Sequence, residues 1–262
     1  MITSTSNAKI KELVQLQKKS RARNQAGVFI VEGLRMIQEA PSERIEKFYV
    51  SESFYKKHQS WLEKSDKGPE LVTDTVFARI SDTKTPQGIL AVIRQMEYSA
   101  EAILAAKPPH LLVLDNLQDP GNLGTIFRTA EAAGVTGILM SQDCVDIYNP
   151  KTIRSTMGAI YRMPFVVVDS LSEHLKAMKN QGIKVYAAHL AGASSYDQEN
   201  FQTGVTFLIG NEGNGLRQEL TDYADAWIKI PMSGQAESLN AAIATAILMF
   251  EVSRQRRQDI LE

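Results

Sequence analysis

The sequence predicts an α/β protein in which a mostly parallel sheet with helices on both sides follows a smaller α/β domain. Three observations lead to this prediction. The chain has 262 residues, enough for one large domain or two modest ones. After residue 110, six nearly continuous apolar runs alternate with helix-like stretches, as expected for strands buried on both faces. A stretch without strand signal, ending in Pro108 and Pro109, separates these runs from the preceding part of the chain.

The amino-terminal part is predicted to be a small α/β domain. Apolar residues recur at helical spacing within 7–20 and indicate an amphipathic helix. Short apolar runs then alternate with helix-like stretches. The runs are 28–31, 48–50, 70–72 and 88–93, and the helix-like stretches are 33–40, 53–64 and 74–81. We place this domain at 1–97 and a linker at 98–109.

The carboxyl-terminal part, 110–262, is predicted to contain the parallel sheet. Its strands are expected at 111–115, 137–140, 165–168, 184–190, 205–210 and 227–230. Helices are expected at 121–134, 150–158, 170–181 and 215–222, followed by a long apolar helix at 237–255. Because ligands of open parallel sheets bind beyond the carboxyl ends of the strands, the loops that follow the strands are the expected site.

The composition excludes several classes of protein. The 29 lysine and arginine residues nearly balance the 30 acidic residues, and the hydrophobic content of 44% is ordinary for a globular chain. Cys144 is the single cysteine, so we expect neither an internal disulfide nor a structural zinc site. The sequence shows no signal peptide and no apolar run of about 18 residues. We therefore expect a cytoplasmic protein with no membrane and no metal partner.

The loop after the first strand of the carboxyl-terminal part contains an unusual pattern. An Asp-Pro-Gly turn comes first, and Asn122 is expected to be the N-cap of the helix that follows. Arg128 lies in the second turn of this helix among apolar neighbours. Because a buried arginine needs an anionic or polar partner, we expect Arg128 to have one.

Glycine recurs in the loop 210–215, which reads Gly-Asn-Glu-Gly-Asn-Gly. Its spacing matches neither the dinucleotide fingerprint G-x-G-x-x-G nor the phosphate loop G-x-x-x-x-G-K-[ST], which excludes a dehydrogenase. Glu212 would also repel a phosphate group. The glycines instead predict tight turns and the close approach of a ligand or another loop, and Glu212 offers an acceptor for hydroxyl or amine protons.

The third pattern is the polar loop 230–240, which precedes the long apolar helix. Ser238 or Glu237 is expected to cap that helix. Asn240 lies beyond this cap, where asparagine is a poor helix former, and is therefore a candidate site residue. The arginine cluster at 254–257 is expected to solvate the end of the helix.

Together the three loops carry a specific resemblance. The patterns N-x-G-x-x-x-R at 122–128, G-N-E-G-x-G at 210–215 and P-M-x-G-x-x-x-S-L-N at 231–240 resemble the motifs of the SpoU (TrmH-like) family of RNA 2′-O-ribose methyltransferases, within the SPOUT superfamily. The resemblance covers about 108–258, and the flanking phrases are similar to the ribosomal-RNA and thiostrepton-resistance branches. The phrase VFIVEGLRMIQEA at 28–40 resembles the ribosomal-protein-like substrate-binding domain that often precedes the catalytic domain.

This resemblance implies a fold and a cofactor. The catalytic domain is expected to end in a deep trefoil knot and to form a homodimer, with the last helix at the interface. S-adenosylmethionine is the implied cofactor, its adenine held around Gly210, Ile230 and Leu239, with Met232 nearby. The residue types agree, because an apolar rim can hold an adenine face and glycine permits close approach.

The resemblance also implies a reaction, the transfer of a methyl group to a ribose 2′-oxygen, which needs no metal but needs a more reactive oxygen nucleophile. Arg128 is the implied activating residue. Ser238 and Asn240 would orient the hydroxyl, and Glu212 and Asn122 would position the arginine and the RNA. Because an arginine with a pKa above about 12 is a poor general base, stabilising the developing alkoxide or gripping a phosphate is physically easier, and its role stays open.

A basic run near the amino terminus is the candidate RNA-binding segment. Lys18, Lys19, Arg21 and Arg23 are predicted to contact the RNA backbone, with a solvated helix face as an equal alternative. The expected substrate is ribosomal RNA. The alternatives are a transfer-RNA 2′-O-methyltransferase and a non-catalytic RNA-binding module for ribosome assembly on the same fold.

Overall fold

The computed structural model describes residues 1–63 and 67–258. The chain divides into two compact units. The first comprises Met1–Met96 and Asp146–Tyr161, and the second comprises Glu97–Val145 and Arg162–Glu262. The domain boundaries expected at 97 and 110 stay a prediction, and the compact units differ from them in two places. The segment 98–109 belongs to the second unit, and Asp146–Tyr161 joins the first.

The first unit is built on a four-stranded sheet. In chain order its elements are α1 Ala8–Lys18, α2 Ser20–Ala26, β1 Val28–Glu32, α3 Leu34–Gln38, β2 Ile45–Ser51, α4 Glu52–Leu62, β3 Glu70–Val72, α5 Asp74–Ile80 and β4 Ile89–Arg94. The strand order is β1-β4-β2-β3, with β4 antiparallel to both of its neighbours and β3 parallel to β2. Asn7, Ser51 and Thr73 accept N–H bonds at the starts of α1, α4 and α5, which explains where these helices begin.

The second unit is built on a seven-stranded sheet. In chain order its first elements are α6 Ala100–Leu104, β5 His110–Leu114, α7 Pro120–Ala132 and β6 Gly137–Ser141. The next helix, α8 Pro150–Thr156, belongs to the first unit. The second unit continues with β7 Phe165–Val168, α9 Leu171–Asn180, β8 Lys184–Ala188, β9 Ser194–Ser195, β10 Val205–Ile209, α10 Gln218–Thr221, β11 Ala226–Lys229 and α11 Ala241–Gln258. The order is β7-β6-β5-β10-β8-β11-β9, and each ladder is parallel. The prediction of a mostly parallel sheet is confirmed.

The sheet order gathers the predicted loops at one edge. β10 lies between β5 and β8, and β11 lies on the other side of β8. The last residues of two neighbouring strands, Leu114 and Ile209, pair with each other. Because parallel strands end at the same edge of a sheet, the loops that follow β5, β10 and β11 lie on the same side of the unit.

The cap of α7 differs from the prediction. Asp119, not Asn122, is the N-cap, because its Oδ1 accepts the N–H of Asn122 at 2.8 Å. The helix begins at Pro120, where a missing backbone N–H costs nothing. Asn122 therefore lies inside the first turn, and its side chain is available for other bonds.

The start of α11 also differs from the prediction. Neither Ser238 nor Glu237 caps the helix. The Oδ1 of Asn240 accepts the N–H of Ala242 at 2.9 Å and that of Ile243 at 3.3 Å, which makes Asn240 the cap. The helix consequently starts four residues later than the sequence pattern indicated.

The expectation that the arginine cluster near the end of α11 is merely solvated is wrong for Arg256. Its guanidinium is half-buried and donates to the carbonyl oxygens of Phe201 at 3.1 Å, Thr203 at 2.6 Å, Pro108 at 3.3 Å and Pro109 at 3.0 Å. Arg256 therefore ties the last helix to the segments that precede β5 and β10.

In residues 1–63 and 67–258, no helix combines the length and the apolar character that crossing a membrane requires. The same part of the chain contains no group of three or more His, Cys, Asp and Glu side chains that could hold a metal ion. Burial raises the pKa of the half-buried Cys144 thiol, so this cysteine stays protonated at neutral pH.

Candidate functional site

A cavity of about 690 Å³ lies where the loops after β10 and β11 meet the start of α11. Its volume is within the range of small-molecule sites in proteins. Seven of the predicted site residues line it: Gly210, Glu212, Ile230, Met232, Ser238, Leu239 and Asn240. The structure therefore brings the second and third loops of the sequence analysis together around one space.

Gly210 is required for the shape of this cavity. A Cβ atom at this position would lie 2.3 Å from the backbone carbon of Gly215 and 2.4 Å from the nitrogen of Leu216, so no side chain fits. The loop closes through two backbone hydrogen bonds between Asn211 and Gly215, of 3.0 and 2.9 Å. Gly215 adopts a φ of +70°, which favours glycine. The close approach predicted from the glycine spacing is thus between two parts of the same loop.

A chain of hydrogen bonds connects all three predicted loops. The Nδ2 of Asn240 donates to the Oδ1 of Asn122 at 2.9 Å, and the Nδ2 of Asn122 donates to the Oε1 of Glu212 at 3.0 Å. The partners fix which amide atom is oxygen and which is nitrogen. Glu212 can only accept, so the group of Asn122 that faces it is the Nδ2, and the Oδ1 of Asn240 is the atom that caps α11. Three residues that are 28 to 118 positions apart in the sequence therefore form one fixed polar unit at the cavity.

Glu212 is held as an anion. Burial alone would raise its pKa, but hydrogen bonds from Asn122 and from the backbone N–H groups of Gln118 and Asp119 more than offset that effect and lower the pKa. The two backbone donors lie 3.1 Å from the carboxylate oxygens. A carboxylate with a lowered pKa is a weak proton acceptor at neutral pH. Glu212 is therefore suited to fixing the first loop rather than to removing a proton.

An ion pair between a buried carboxylate and a partly exposed arginine at the same edge was not found by sequence reasoning. Asp115 follows β5, is completely buried, and accepts hydrogen bonds from the backbone N–H of Arg217 at 3.0 Å and from its Nε at 2.7 Å. In addition, the Nδ2 of Asn211 donates to the carbonyl oxygen of Asn116 at 2.8 Å. A carboxylate that ends a wholly apolar strand was the available signal, because a buried charge needs a partner. This pair clamps the glycine loop to the end of β5.

Arg128 is the predicted catalytic residue that the structure places differently. Its neighbours Ile126, Phe127 and Ala130 are completely buried, as expected, but Arg128 is on the exposed side of α7. It does not line the cavity, and it has no hydrogen-bond or ion-pair partner within the described parts of the chain. The expectation that Arg128 is buried with a partner is therefore wrong.

The basic run separates into two environments. Lys18, Lys19 and Arg21 are exposed, as a backbone contact with RNA requires. Arg23 is only 2% exposed; its guanidinium forms an ion pair with Asp146 and donates to the carbonyl oxygen of Leu16 at 2.6 Å. The prediction that Arg23 contacts RNA is therefore wrong, because this side chain holds α2 to its neighbours in the first unit.

The cavity has the chemistry of a site for a flat, polar-edged ring. Ile230, Leu239 and Leu248 supply apolar surface, and the backbone around Gly210 brings amide and carbonyl groups to the wall without an intervening side chain. Met232 adds a flexible thioether that is 36% exposed. These features fit the adenine of S-adenosylmethionine, the cofactor that the loop motifs imply.

Two protein families match this chain. The SpoU rRNA Methylase family matches residues 109–250, and the MRM3-like substrate binding domain matches residues 7–91. The first match spans more than half of the chain and contains all three predicted loops. The second covers most of the described first unit.

Individual relatives agree with the family matches. The chain is 33% identical to the 23S rRNA (guanosine(2553)-2′-O)-methyltransferase RlmP of Bacillus subtilis, over 96% of this chain and 98% of that protein. Its fold is similar to that of the SpoU methyltransferase AviRb from Streptomyces viridochromogenes in complex with AdoMet, with a TM-score of 0.87, 25% identity and coverage of 96% and 98%. It is also similar to an AdoMet-bound rRNA methyltransferase from Sinorhizobium meliloti, with a TM-score of 0.83, 30% identity and 97% coverage of both chains.

Proposed function

The chain belongs to the SpoU rRNA methylase family, and on that premise we propose that it methylates a ribose 2′-hydroxyl of large-subunit ribosomal RNA. It is an RNA methyltransferase that uses S-adenosylmethionine. The observation that carries the proposal is the polar unit of Asn122, Glu212 and Asn240 at the mouth of a cavity that fits the cofactor. The choice of large-subunit RNA is supported by the substrate of the Bacillus relative.

The chain's own residues divide the cavity into a binding part and a reacting part. Ile230, Met232 and Leu239, with the backbone at Gly210, would hold the adenine ring. When bound, S-adenosylmethionine would supply a methyl carbon whose bond to the positively charged sulfur breaks as the ribose oxygen bonds that carbon, leaving S-adenosylhomocysteine. The exposed hydroxyl of Ser238 lies on the same wall and would orient the ribose hydroxyl.

Asn122 and Glu212 are proposed as positioning residues rather than proton acceptors. The anionic Glu212 fixes the amide of Asn122, and Asn122 in turn fixes the amide of Asn240. Each of these two amides has a second N–H group, which is thereby held in one orientation towards the substrate. Preorganised donors of this kind stabilise a developing negative charge. The proton of the hydroxyl is then released to water at this exposed site rather than to a carboxylate base.

Arg128 is proposed to bind negative charge on the RNA. A guanidinium with a pKa above about 12 stays protonated at neutral pH, so it stabilises an alkoxide or grips a phosphate instead of removing a proton. Its position on the exposed side of α7, with no partner in the part of the chain that the structure describes, leaves all of its donors available to RNA.

A trefoil knot and a homodimer are proposed for the catalytic domain, which we place at 110–262. The knot is supported by three features: the strand order departs from the chain order, two separate loops line one cavity, and α11 starts at that cavity and packs on α7.

The homodimer is supported by an outward apolar stripe on α11, in which Ile243 is 51% and Phe250 is 46% exposed. Sedimentation should give a dimer for the wild type and a monomer for Phe250→Glu; a Phe250→Glu dimer of unchanged stability would contradict this interface.

The amino-terminal domain, placed at 1–97 before the linker 98–109, is proposed to bind substrate RNA in the cytoplasm. The family match to a substrate-binding domain supports the binding role, and the ribosomal-RNA-modifying relatives support the location. Lys18, Lys19 and Arg21 are the residues proposed to contact the RNA backbone, because they are exposed cations on adjoining helices.

The test is a methyl-transfer assay on separated RNA classes from a strain that lacks this gene. Labelled S-adenosylmethionine is incubated with large-subunit, small-subunit and transfer RNA, followed by alkaline hydrolysis. We expect label in one alkali-resistant dinucleotide of the large-subunit RNA, absent with Arg128→Ala and retained with Arg257→Ala, an exposed arginine of α11. Label in mononucleotides, or in transfer RNA alone, would contradict the proposal.

A further inference from the structure

A second cavity lies within the first unit, and no residue of the methyl-transfer motifs lines it. Its volume is about 560 Å³, and it is bounded by α4, the start of α5 and the end of the loop before β4. The size suits a ligand of nucleotide dimensions. Its lining includes Phe54, His58, Lys57, Asp74 and Gln87.

Two stacked rings form one wall of this cavity. The rings of Phe54 and His58 lie 4.2 Å apart, centroid to centroid, at an interplanar angle of 25°. His58 interrupts α4, with φ of −125° and ψ of 19°, near a sparsely populated backbone region that many functional residues adopt. Phe54 is 6% exposed and anchors the pair, while His58 is half-buried. An aromatic platform of this kind accepts the flat face of a nucleobase.

Polar groups of both signs surround the platform. Lys57 is an exposed cation next to His58 in the chain, placed to meet a phosphate. Hydrogen bonds from Ser53 lower the pKa of Asp74, so its carboxylate stays an acceptor for base N–H groups. The Oε1 of Gln87 accepts the N–H of Leu34 at 3.1 Å, which directs the amide as a donor.

Gly88 allows the loop before β4 to pack directly against Phe54. It has a φ of +89°, and a Cβ at this position would lie 2.7 Å from the Oγ of Ser51 and 2.8 Å from the Cβ of Phe54. The loop backbone therefore packs directly against α4, and the cavity wall is made of main chain that a side chain would displace.

We propose that this cavity binds one unstacked base of the substrate RNA, with the base on the Phe54–His58 platform and its phosphate near Lys57. The proposal rests on the proposed function, since it names a recognition site for the same RNA. Stacking accepts any base, and the Asp74 carboxylate and the Gln87 amide then select among base edges. The lining residues of this cavity belong to the first unit, and the methyl-transfer residues belong to the second.

The test compares variants of His58 in the full-length protein. His58→Ala should raise the KM for 23S rRNA by about 5-fold to 100-fold, the loss expected for one stacked base, with kcat and cofactor affinity unchanged. His58→Phe keeps a ring and should restore KM, and Gln59→Ala, an exposed neighbour on α4, should resemble the wild type. A His58→Ala variant that is folded and has the wild-type KM would overturn the proposal.

Photo-crosslinking separates this proposal from the catalytic one. An unmodified 23S rRNA transcript containing 4-thiouridine is bound to the wild-type protein, irradiated and digested, and the crosslinked peptides are mapped. Crosslinks within 51–58 that disappear with His58→Ala support the cavity even if no methyl transfer to this RNA is detected. Methyl transfer by the wild type together with crosslinks confined to other peptides would overturn the cavity alone.

Discussion

Helices α7 and α2 each contain an arginine that the sequence assigned to function, and the structure gives each the environment expected for the other. Arg128 was expected to be buried with a partner and is exposed. Arg23 was expected to be an exposed contact for RNA and is buried against Asp146. The comparison shows that residue type and local pattern predict which helices contain important arginines, but not which of them bind a ligand and which bind the protein.

The physical reason lies in the geometry of a helix. Ile126, Phe127 and Ala130 are buried because they occupy the side of α7 that faces the core, while Arg128 is rotated away from that side. In the basic run, burial at Arg23 depends on an acidic residue 123 positions later in the chain, which no local pattern indicates. The burial of Arg128 and of Arg23 is therefore predicted wrongly when it is judged from the neighbouring residues in the sequence.

The largest expected effect is on catalysis at Arg128. Arg128→Ala should lower kcat by about 100-fold to 1,000-fold, because it removes the cation proposed to hold the alkoxide or a phosphate of the RNA in the transition state. The free energy of unfolding should change by less than about 0.5 kcal/mol, since the side chain is exposed. Arg128→Lys should give an intermediate rate, because a lysine keeps the charge but not the planar fork. Single-turnover kinetics and urea unfolding measure the two quantities.

A rate for Arg128→Ala within a few-fold of the wild type would contradict this prediction. Neither Arg128 nor Arg23 would then act in catalysis, and the difference between them would be one of stability alone. The control is Arg257→Ala, which removes an exposed arginine of α11 and should leave kcat unchanged.

The second effect is on stability at Arg23. Arg23→Met should lower the free energy of unfolding by about 2 to 4 kcal/mol, because Asp146 and the carbonyl oxygen of Leu16 lose a buried charged donor. Arg21→Met is the matched control, an exposed arginine two residues earlier in α2, and should change stability by less than about 0.5 kcal/mol. Urea unfolding provides the measurement, and equal stability of the two variants would contradict the burial of Arg23.

The third effect is on RNA binding by the exposed part of the basic run. Replacing Lys18, Lys19 and Arg21 by Gln should reduce the slope of log K against log salt by up to about 3, if each side chain neutralises one phosphate. Filter binding of 23S rRNA over a series of salt concentrations measures the slope. An unchanged slope would assign these three residues to a solvated helix face, the alternative that the sequence left open.

The sequence predicted the sheet and the loops of the site better than the contacts inside the site. Apolar runs located the strands because a parallel sheet with helices on both faces buries nearly all of its side chains. Glycine spacing located the loop at 210–215 because Gly210 has no room for a side chain. The ion pair of Asp115 with Arg217 joins residues 102 positions apart, so it could not be read locally. Asn240 was selected as unusual, but its role as the cap of α11 was not recognised.

The smallest effect extends the comparison to another cation near the amino terminus, Lys9 of α1. Lys9, together with Lys47, hydrogen-bonds Glu70 and lowers the pKa of that carboxyl from 4.5 to about 2. Because the folded-state pKa is the lower one, this stabilisation is complete above pH 4.5 and is lost as the pH falls towards 2. Water screens the pair, so Glu70→Gln should cost about 1 kcal/mol at pH 7.

The pH dependence distinguishes a structural lysine from an RNA contact. The stability difference between wild type and Lys9→Gln should shrink between pH 4.5 and 2, whereas Lys11→Gln, an exposed lysine of the same helix α1, should show no such change. Urea unfolding across this pH range provides the measurement. A constant difference would mean that Lys9 does not hold Glu70, and Lys9 would then join Lys18, Lys19 and Arg21 as an available cation. A shrinking difference places Lys9 with Arg23, so that among the cations of α1 and α2 those that reach an acidic side chain serve the fold and the others remain available to RNA.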